Sequence, residues 1–410
     1  MSSFMHKARK ILEQPVCDSC LGRQFAQLVS GLTNSERGRI VRTIVAMSID
    51  HEKAAEEDKK LDLSNFVHMK FHNLHVDRHE PKACSICGGL FAAELDKWAE
   101  KVKAAASGYE FRTFLIGTRL SSQLLDSEER LWERAGIDWV EPIKSELNRE
   151  IGKRVEKILK VKFDQKNPEA VIMANFDSGK AEVQSNPLFI YGEYQKLVRG
   201  IPQTKWPSGK YKTSVEQIIA KPYMKATAGK EHKLHGLGRE DIDARCLAWR
   251  PFVLEILEPK KRFIDIKALA KKIEKKVRVQ GIRLSNIQEV REIKEAKLDK
   301  SYRGIVVCKG RILPQELGKL NQLTGAIINQ RTPKRVMHRR GDLLRKRKVV
   351  QVRFKPKGAK QFVFEVTGEA GLYVKELVSG DSGRTQLSVS ELLANECVLK
   401  DLDVIKIHKK

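Results

Sequence analysis

Apolar residues recur at helical spacing through the first part of the chain. Phe4 to Leu12 and Phe25 to Ile49 both carry that period, and Thr33-Asn-Ser-Glu36 has the hydroxyl-then-acid spacing of a helix start. Near Phe111-Arg-Thr-Phe-Leu-Ile116 the pattern becomes that of a strand. A helix is expected over Ile143 to Leu159, with Ile143, Leu147, Ile151, Val155 and Ile158 on one face. Val171 to Phe176 and the segment around Val183 read as strands. Strand, helix, strand, strand makes an α/β unit of about 80 residues. The character changes near Asn186-Pro187, where a domain boundary is expected.

Beyond that boundary the chain reads as α+β. Strands are expected at Pro251 to Leu257, Gly304 to Cys308, Val349 to Phe354 and Gln361 to Val366. The last alternates Phe362, Phe364 and Val366 against Gln361, Val363 and Glu365, with Val363 the exception. Helices are expected at Ile266 to Val277, Leu372 to Val378 and Ser390 to Asn395. Trp206-Pro-Ser-Gly-Lys210 reads as a loop.

Length and charge narrow the class. A chain of 410 residues accommodates two or three domains, each able to bury a core. Its 78 basic and 52 acidic residues leave +26, which draws it to polyanions. No apolar run approaches the ~20 residues that span a bilayer. Met1 to Lys10 has no signal-peptide core, so a cytoplasmic protein is expected. Nucleic acid is then the expected partner. Arg331 to Lys348 holds nine Lys/Arg and one acid, Asp342, and Pro333, Val336 and Met337 interrupt it as in an ordered loop. Pro187 to Trp206 interleaves aromatics with cations. That composition suits stacked bases and held phosphates, and it equally suits a core strand with incidental cations.

Seven cysteines without a signal segment argue against a disulfide framework. Four form two Cys-x-x-Cys knuckles, Cys17 with Cys20 and Cys84 with Cys87, separated by 63 residues and followed by glycines. Four thiolates close a tetrahedral shell, so a structural zinc ion in the N-terminal part is expected. His68, His72, His75 and His79 could compete as ligands. Cys246, Cys308 and Cys397 have no partner at useful spacing and read as buried residues.

The stretch Leu234-His-Gly-Leu-Gly-Arg-Glu-Asp-Ile-Asp-Ala-Arg245 sets three carboxylates among cations ahead of an apolar run. A carboxylate beside cations stays ionised and can act as nucleophile or base. Composition alone does not choose among Glu240, Asp241 and Asp243, nor between a reactive group and a salt-bridged turn.

Arg239-x-Asp241 resembles the Arg-x-Asp motif of pseudouridine synthases. Lys300-Ser-Tyr302 resembles their Lys-x-Tyr segment, and Gly371-Leu-Tyr-Val-Lys-Glu-Leu377, with Asp381 and Gly383 beyond, resembles the Gly-x-Tyr-Ile-Arg-x-Leu segment of the bacterial T-loop enzyme. Leu234 to Phe252, Tyr194 to Trp206, Gln330-x-Thr-Pro-x-Arg-Val-x-His-Arg-Arg340 and the two knuckles together resemble the archaeal and eukaryotic tRNA pseudouridine synthase family acting on T-arm uridines 54 and 55. The resemblance covers nearly the whole chain. It implies an accessory RNA-binding domain over 1–185, with a zinc-knuckle module over about 1–105 and a THUMP-like unit over about 106–185. A catalytic domain with a mixed, largely antiparallel sheet would fill 186–410.

By the same resemblance Asp241 is the nucleophile, Tyr302 stacks on the target uracil, and Lys375 replaces the arginine that pairs with the aspartate. A lysine there is a point charge and cannot make a bidentate pair. Arg239, Tyr373, Arg335, Arg339 and Arg340 would join Tyr302 in binding substrate. The chemistry needs no cofactor, and a monomer working on tRNA is expected. Two other classes fit the charge and the cysteines: a THUMP-bearing methyltransferase or thiolation enzyme, and a zinc-containing RNA assembly factor. The first needs a cofactor loop that the chain does not convincingly show, and the second does not account for the ordered Asp, Tyr and Lys segments.

Overall fold

The structure is a computed structural model that describes residues 3–53, 56–73 and 80–409, the side chains of Glu56, Glu57 and Arg339 excepted. His75 and His79 lie outside the described residues. The chain divides into two units, Met1–Asn186 and Pro187–Lys410.

The first unit opens with α1 (Ser3–Ile11), α2 (Asp18–Gly22) and α3 (Asn34–Glu52). Thr33 caps α3 with a complete capping box, its hydroxyl accepting from the Glu36 amide while the Glu36 carboxylate accepts from the Thr33 amide. The helical period over Phe25 to Ile49 does not persist as one helix. Residues 26–33 form a loop, because buried Arg37 donates to the carbonyls of Ala26, Leu28, Val29 and Leu32. Helices α2 and α3 cross closely: a Cβ on Gly22 would stand 1.8 Å from the Asn34 carbonyl oxygen, and one on Gly38 1.9 Å from that of Asp18.

Short α4 (Leu90–Ala93) and α5 (Leu95–Ala106) lead into β1 (Thr113–Arg119), α6 (Ser122–Ala135), α7 (Ile143–Leu159), β2 (Lys162–Phe163), β3 (Ala170–Asn175) and β4 (Lys180–Ser185). Among the described residues these strands form one sheet in the order β2-β1-β3-β4, with β1 parallel to both neighbours and β4 antiparallel to β3. Ile143, Leu147, Ile151 and Val155 of α7 are buried, whereas Ile158 is exposed at the helix end.

The second unit contains β5 (Leu188–Lys196), α8 (Val215–Thr227), β6 (Glu231–Gly236), β7 (Arg245–Leu257), α9 (Ile266–Ala270), β8 (Val277–Ser285), α10 (Ile287–Glu295) and β9 (Lys300–Cys308). It continues with β10 (Ile327–Arg331), β11 (Leu344–Gly358), β12 (Gln361–Gly368), α11 (Val374–Ser379), α12 (Val389–Leu392) and β13 (Cys397–Ile407). Its strands make one nine-stranded sheet among the described residues, ordered β10-β11-β12-β9-β13-β7-β5-β8, with β6 also on β7. Only β13 and β7 pair in parallel, so the sheet is mixed and mostly antiparallel, within an α+β fold. Phe252, Val253 and Leu254 of β7 are apolar in succession because both faces are covered: Phe252, Leu254 and Ile256 enter one core and Val253 another.

Two local expectations give way to tertiary pairing, and one open alternative is resolved by it. The helix over Ile266 to Val277 stops at Ala270, and Val277 instead starts β8, where β-branched Val277 and Val279 pair with β5. Leu188 to Lys196 of the aromatic and basic patch is a core strand, with Tyr194 and Lys196 fully buried. Cys308 and Cys397 are not unpartnered. They face each other across β9 and β13 and are joined by a disulfide, a pairing that 89 residues of separation conceal in the sequence.

Candidate active site and metal centre

Asp241 lies in the loop between β6 and β7, and two devices hold that loop. Gly238, at φ +72°, makes the turn ahead of Arg239 in a conformation that side chains resist. Lys196, fully buried on β5, donates from Nζ to the carbonyls of Ile201, Asp241 and Ile242 at 3.0, 3.0 and 3.1 Å. Burial pushes the Lys196 ammonium below its usual range, and Glu240 with the other nearby acids opposes this. Sequence reasoning did not find this lysine, because its charge sits in the basic patch and only the strand turns it inward.

The three acids of the loop have separate environments. Glu240 has a fully buried side chain. It accepts from the Tyr194 hydroxyl at 2.9 Å and pairs with the Arg250 guanidinium at 3.2 Å, and Gln203 donates to that same hydroxyl at 2.8 Å. Asp241 is 31% exposed and opens on a cleft of about 190 Å³ lined by Thr204, Trp206, Arg239, Asp243 and Arg335. Asp243 is the most exposed, and both its oxygens accept from Lys375 Nζ at 2.7 Å. Burial raises the Asp243 carboxyl, but the hydrogen bonds and charge of Lys375 outweigh it and hold the group below the usual carboxylate range.

Lys375 therefore divides its charge, standing 3.4 Å from Asp241 Oδ2 and closer to Asp243. The shorter partner of Asp241 is Arg335, whose Nη1 donates to Oδ1 at 2.9 Å. Arg335 comes from the 3₁₀ turn Lys334–Arg339 inside the basic run, and the acids around it raise its guanidinium further above an already high value against the cost of burial. Arg239 donates to the Thr204 hydroxyl at 2.8 Å on the cleft wall. Tyr302 sits on β9 opposite Val366 and Val404, and burial pushes its phenol up to about 12. Tyr373 precedes α11, where its hydroxyl accepts from Arg340 at 2.9 Å and its amide donates to Gln330. The Arg339 side chain is outside the described residues.

In the first unit Cys17, Cys20, Cys84 and Cys87 converge, with all four Sγ atoms within 4.8 Å of one another and Cys17 3.6 Å from Cys87. Zinc–thiolate bonds of about 2.3 Å in a tetrahedron put sulfurs about 3.8 Å apart, so the donor set fits a structural Zn²⁺. Gly88 and Gly89, at φ +59° and +90°, make the turn after the second knuckle. The buried Arg23 guanidinium donates to Cys20 Sγ at 2.7 Å and pairs with Glu128, which would set a cation against the negative charge of a four-thiolate metal site. No helix among the described residues is long and apolar enough to cross a membrane.

Family comparison covers both units. The family described as "Pus10, C-terminal" matches residues 189–408, and "Pus10 THUMP domain, archaeal" matches residues 98–175. The chain is 38% identical to the tRNA pseudouridine synthase Pus10 of Methanopyrus kandleri, over 95% of each chain. It is 38% identical to that of Pyrococcus furiosus over 98% of each. It is 39% identical to that of Methanocaldococcus jannaschii over 96% of this chain and 92% of the relative.

Proposed function

The chain belongs to the Pus10 family of tRNA pseudouridine synthases, and from that premise we propose that it isomerises uridine to pseudouridine at positions 55 and 54 of the tRNA T-arm, with Asp241 as nucleophile and no cofactor. The observation that carries the assignment is the difference between Asp241 and its neighbours. Of the three acids, only Asp241 combines a backbone held by a buried lysine with a carboxylate open to a cleft and met by an arginine.

The target uridine leaves its stack, at a cost of a few kcal/mol for a loop base. Asp241 attacks it or assists departure of the uracil, and the C1′–N1 bond breaks. The freed uracil turns in place, and a C1′–C5 bond forms as any bond from C1′ to the Asp241 carboxylate breaks and the carboxylate is regenerated. C5 then gives up its proton, and N1 ends protonated. Tyr302 stacks on the base, and Arg335 with Lys375 pairs with the aspartate and holds it in place. Arg239, Tyr373, Arg339 and Arg340 hold the RNA around it. The four cysteines would hold a zinc ion that keeps the N-terminal hairpins together and takes no part in the chemistry.

Tritium placed at uridine C5 of a tRNA transcript tests this directly. Wild-type protein should release it to water, from transcripts retaining only uridine 55 and from those retaining only uridine 54. Asp241→Asn should release none while binding tRNA with nearly unchanged affinity. Full release by that variant would reject the nucleophile, and no release from either single-uridine transcript would reject the T-arm.

A further inference from the structure

Glu376 lies in the first turn of α11 with its side chain 6% exposed. It accepts from Arg335 Nε at Oε1, 2.6 Å, and from Nη2 at Oε2, 3.4 Å. The remaining nitrogen of the same guanidinium, Nη1, donates to Asp241 Oδ1 at 2.9 Å. One planar cation thus spans two carboxylates, a geometry that its rigid fork of donors permits and a lysine does not. Resting on the reading of Asp241 as nucleophile, we propose that Glu376 is a positioning residue: it fixes the plane of Arg335, and Arg335 in turn fixes Asp241 and leaves Oδ2 the less tightly held oxygen.

The surroundings support this division of labour. Lys375, the neighbour of Glu376 in sequence, is committed to both oxygens of Asp243 at 2.7 Å, so it is a weaker anchor for Asp241. Arg335 projects from a 3₁₀ turn rather than from a core element. A long side chain on such a turn spreads over many rotamers unless something claims it. Glu376 claims it from a buried helix position, and the Lys334 amide donates to Asp381 Oδ2 at 3.0 Å, which pins the turn itself. Arg335 would therefore act on the rate of the reaction, whereas an arginine serving only as a phosphate contact would act on tRNA affinity.

Single-turnover kinetics separate the two roles. Glu376→Gln should lower the rate at saturating tRNA by about 10- to 100-fold through misplacement of the aspartate, with tRNA Kd unchanged and the protein still folded at the assay temperature. The same substitution in an Arg335→Met background should cause no further loss, because the link is already cut. A wild-type rate in Glu376→Gln, a loss carried wholly by tRNA affinity, or an equal fractional loss in both backgrounds would each overturn the proposal. If Glu376→Gln does not fold, Arg335→Lys reads the same link: the rate should fall with affinity kept, and a wild-type rate overturns the proposal. Asp241→Asn in the same assay keeps the two readings apart. An inactive Asp241→Asn beside a fully active Glu376→Gln removes only the positioning role, and an active Asp241→Asn removes the nucleophile as well.

Discussion

Glu240 and Asp241 are adjacent in the chain and opposite in environment. Glu240 has no exposed side-chain surface and spends its charge on Arg250 and the Tyr194 hydroxyl, while Asp241 keeps about a third of its side chain open to a cleft. The first arrangement is closed, since every strong partner is protein and no substrate atom has access. The second is open, with its cations supplied by Arg335 from a loop and Lys375 from a helix. The cysteine cluster belongs with Glu240 on the closed side, with three of its four thiols buried and Arg23 sealed against it. Closed clusters should therefore answer to stability measurements and open ones to rates.

The largest effect is expected at the cysteines. Cys84→Ser should abolish a stoichiometric zinc signal in metal analysis and lower the stability of the first unit by several kcal/mol, since metal binding and folding are coupled in such modules. A metal-free protein that melts like the zinc-loaded one would place the cluster outside the closed class. The next effect is at Glu240. Removing one partner of a buried pair costs about 3 kcal/mol or more. For a unit of this size that is roughly 6–12 °C in melting temperature. Below its transition, Glu240→Gln should still release tritium from labelled tRNA, unlike Asp241→Asn. A Glu240→Gln that melts normally and is inactive would break the comparison and move the chemistry to Glu240.

Part of this organisation was legible before any coordinates. The Thr33-to-Glu36 spacing encodes a local cap, and the two knuckles encode local turns, so both survive folding as local facts. The alternation over Gln361 to Val366 likewise encodes one strand. What could not be read depends on pairs far apart in sequence. Arg335 meets Asp241 across 94 residues and Glu376 across 41, and Cys308 meets Cys397 across 89. Lys196 gives the same lesson from burial: among surface cations its composition is unremarked, and only the pairing of β5 with β7 and β8 turns it under the loop. The resemblance pointed to Lys375 as the partner of Asp241 because motifs report residue type at a place in the chain. They do not report that a second acid, Asp243, competes for the same ammonium.

The smallest effect tests where the closed region ends. Lys300 is buried at the start of β9, donates to the Leu298 carbonyl at 3.1 Å, and lies beside Gly238 and Arg250. Burial first, and then the Arg250 charge, lower its ammonium to about 8 from 10.5. A lysine depressed in the folded state carries a penalty below its folded value, where it must be charged in both states. Between about pH 8 and 10.5 the unfolded chain binds more protons than the folded one at this site, so stability from Lys300 rises with pH in that window. Other groups titrate there too, which makes the informative quantity the difference between wild type and Lys300→Met. Wild type should gain roughly 5–10 °C in melting temperature relative to the variant across that window. Parallel profiles would mean that Lys300 is solvated in solution, and the closed region around Arg250 would then stop short of β9.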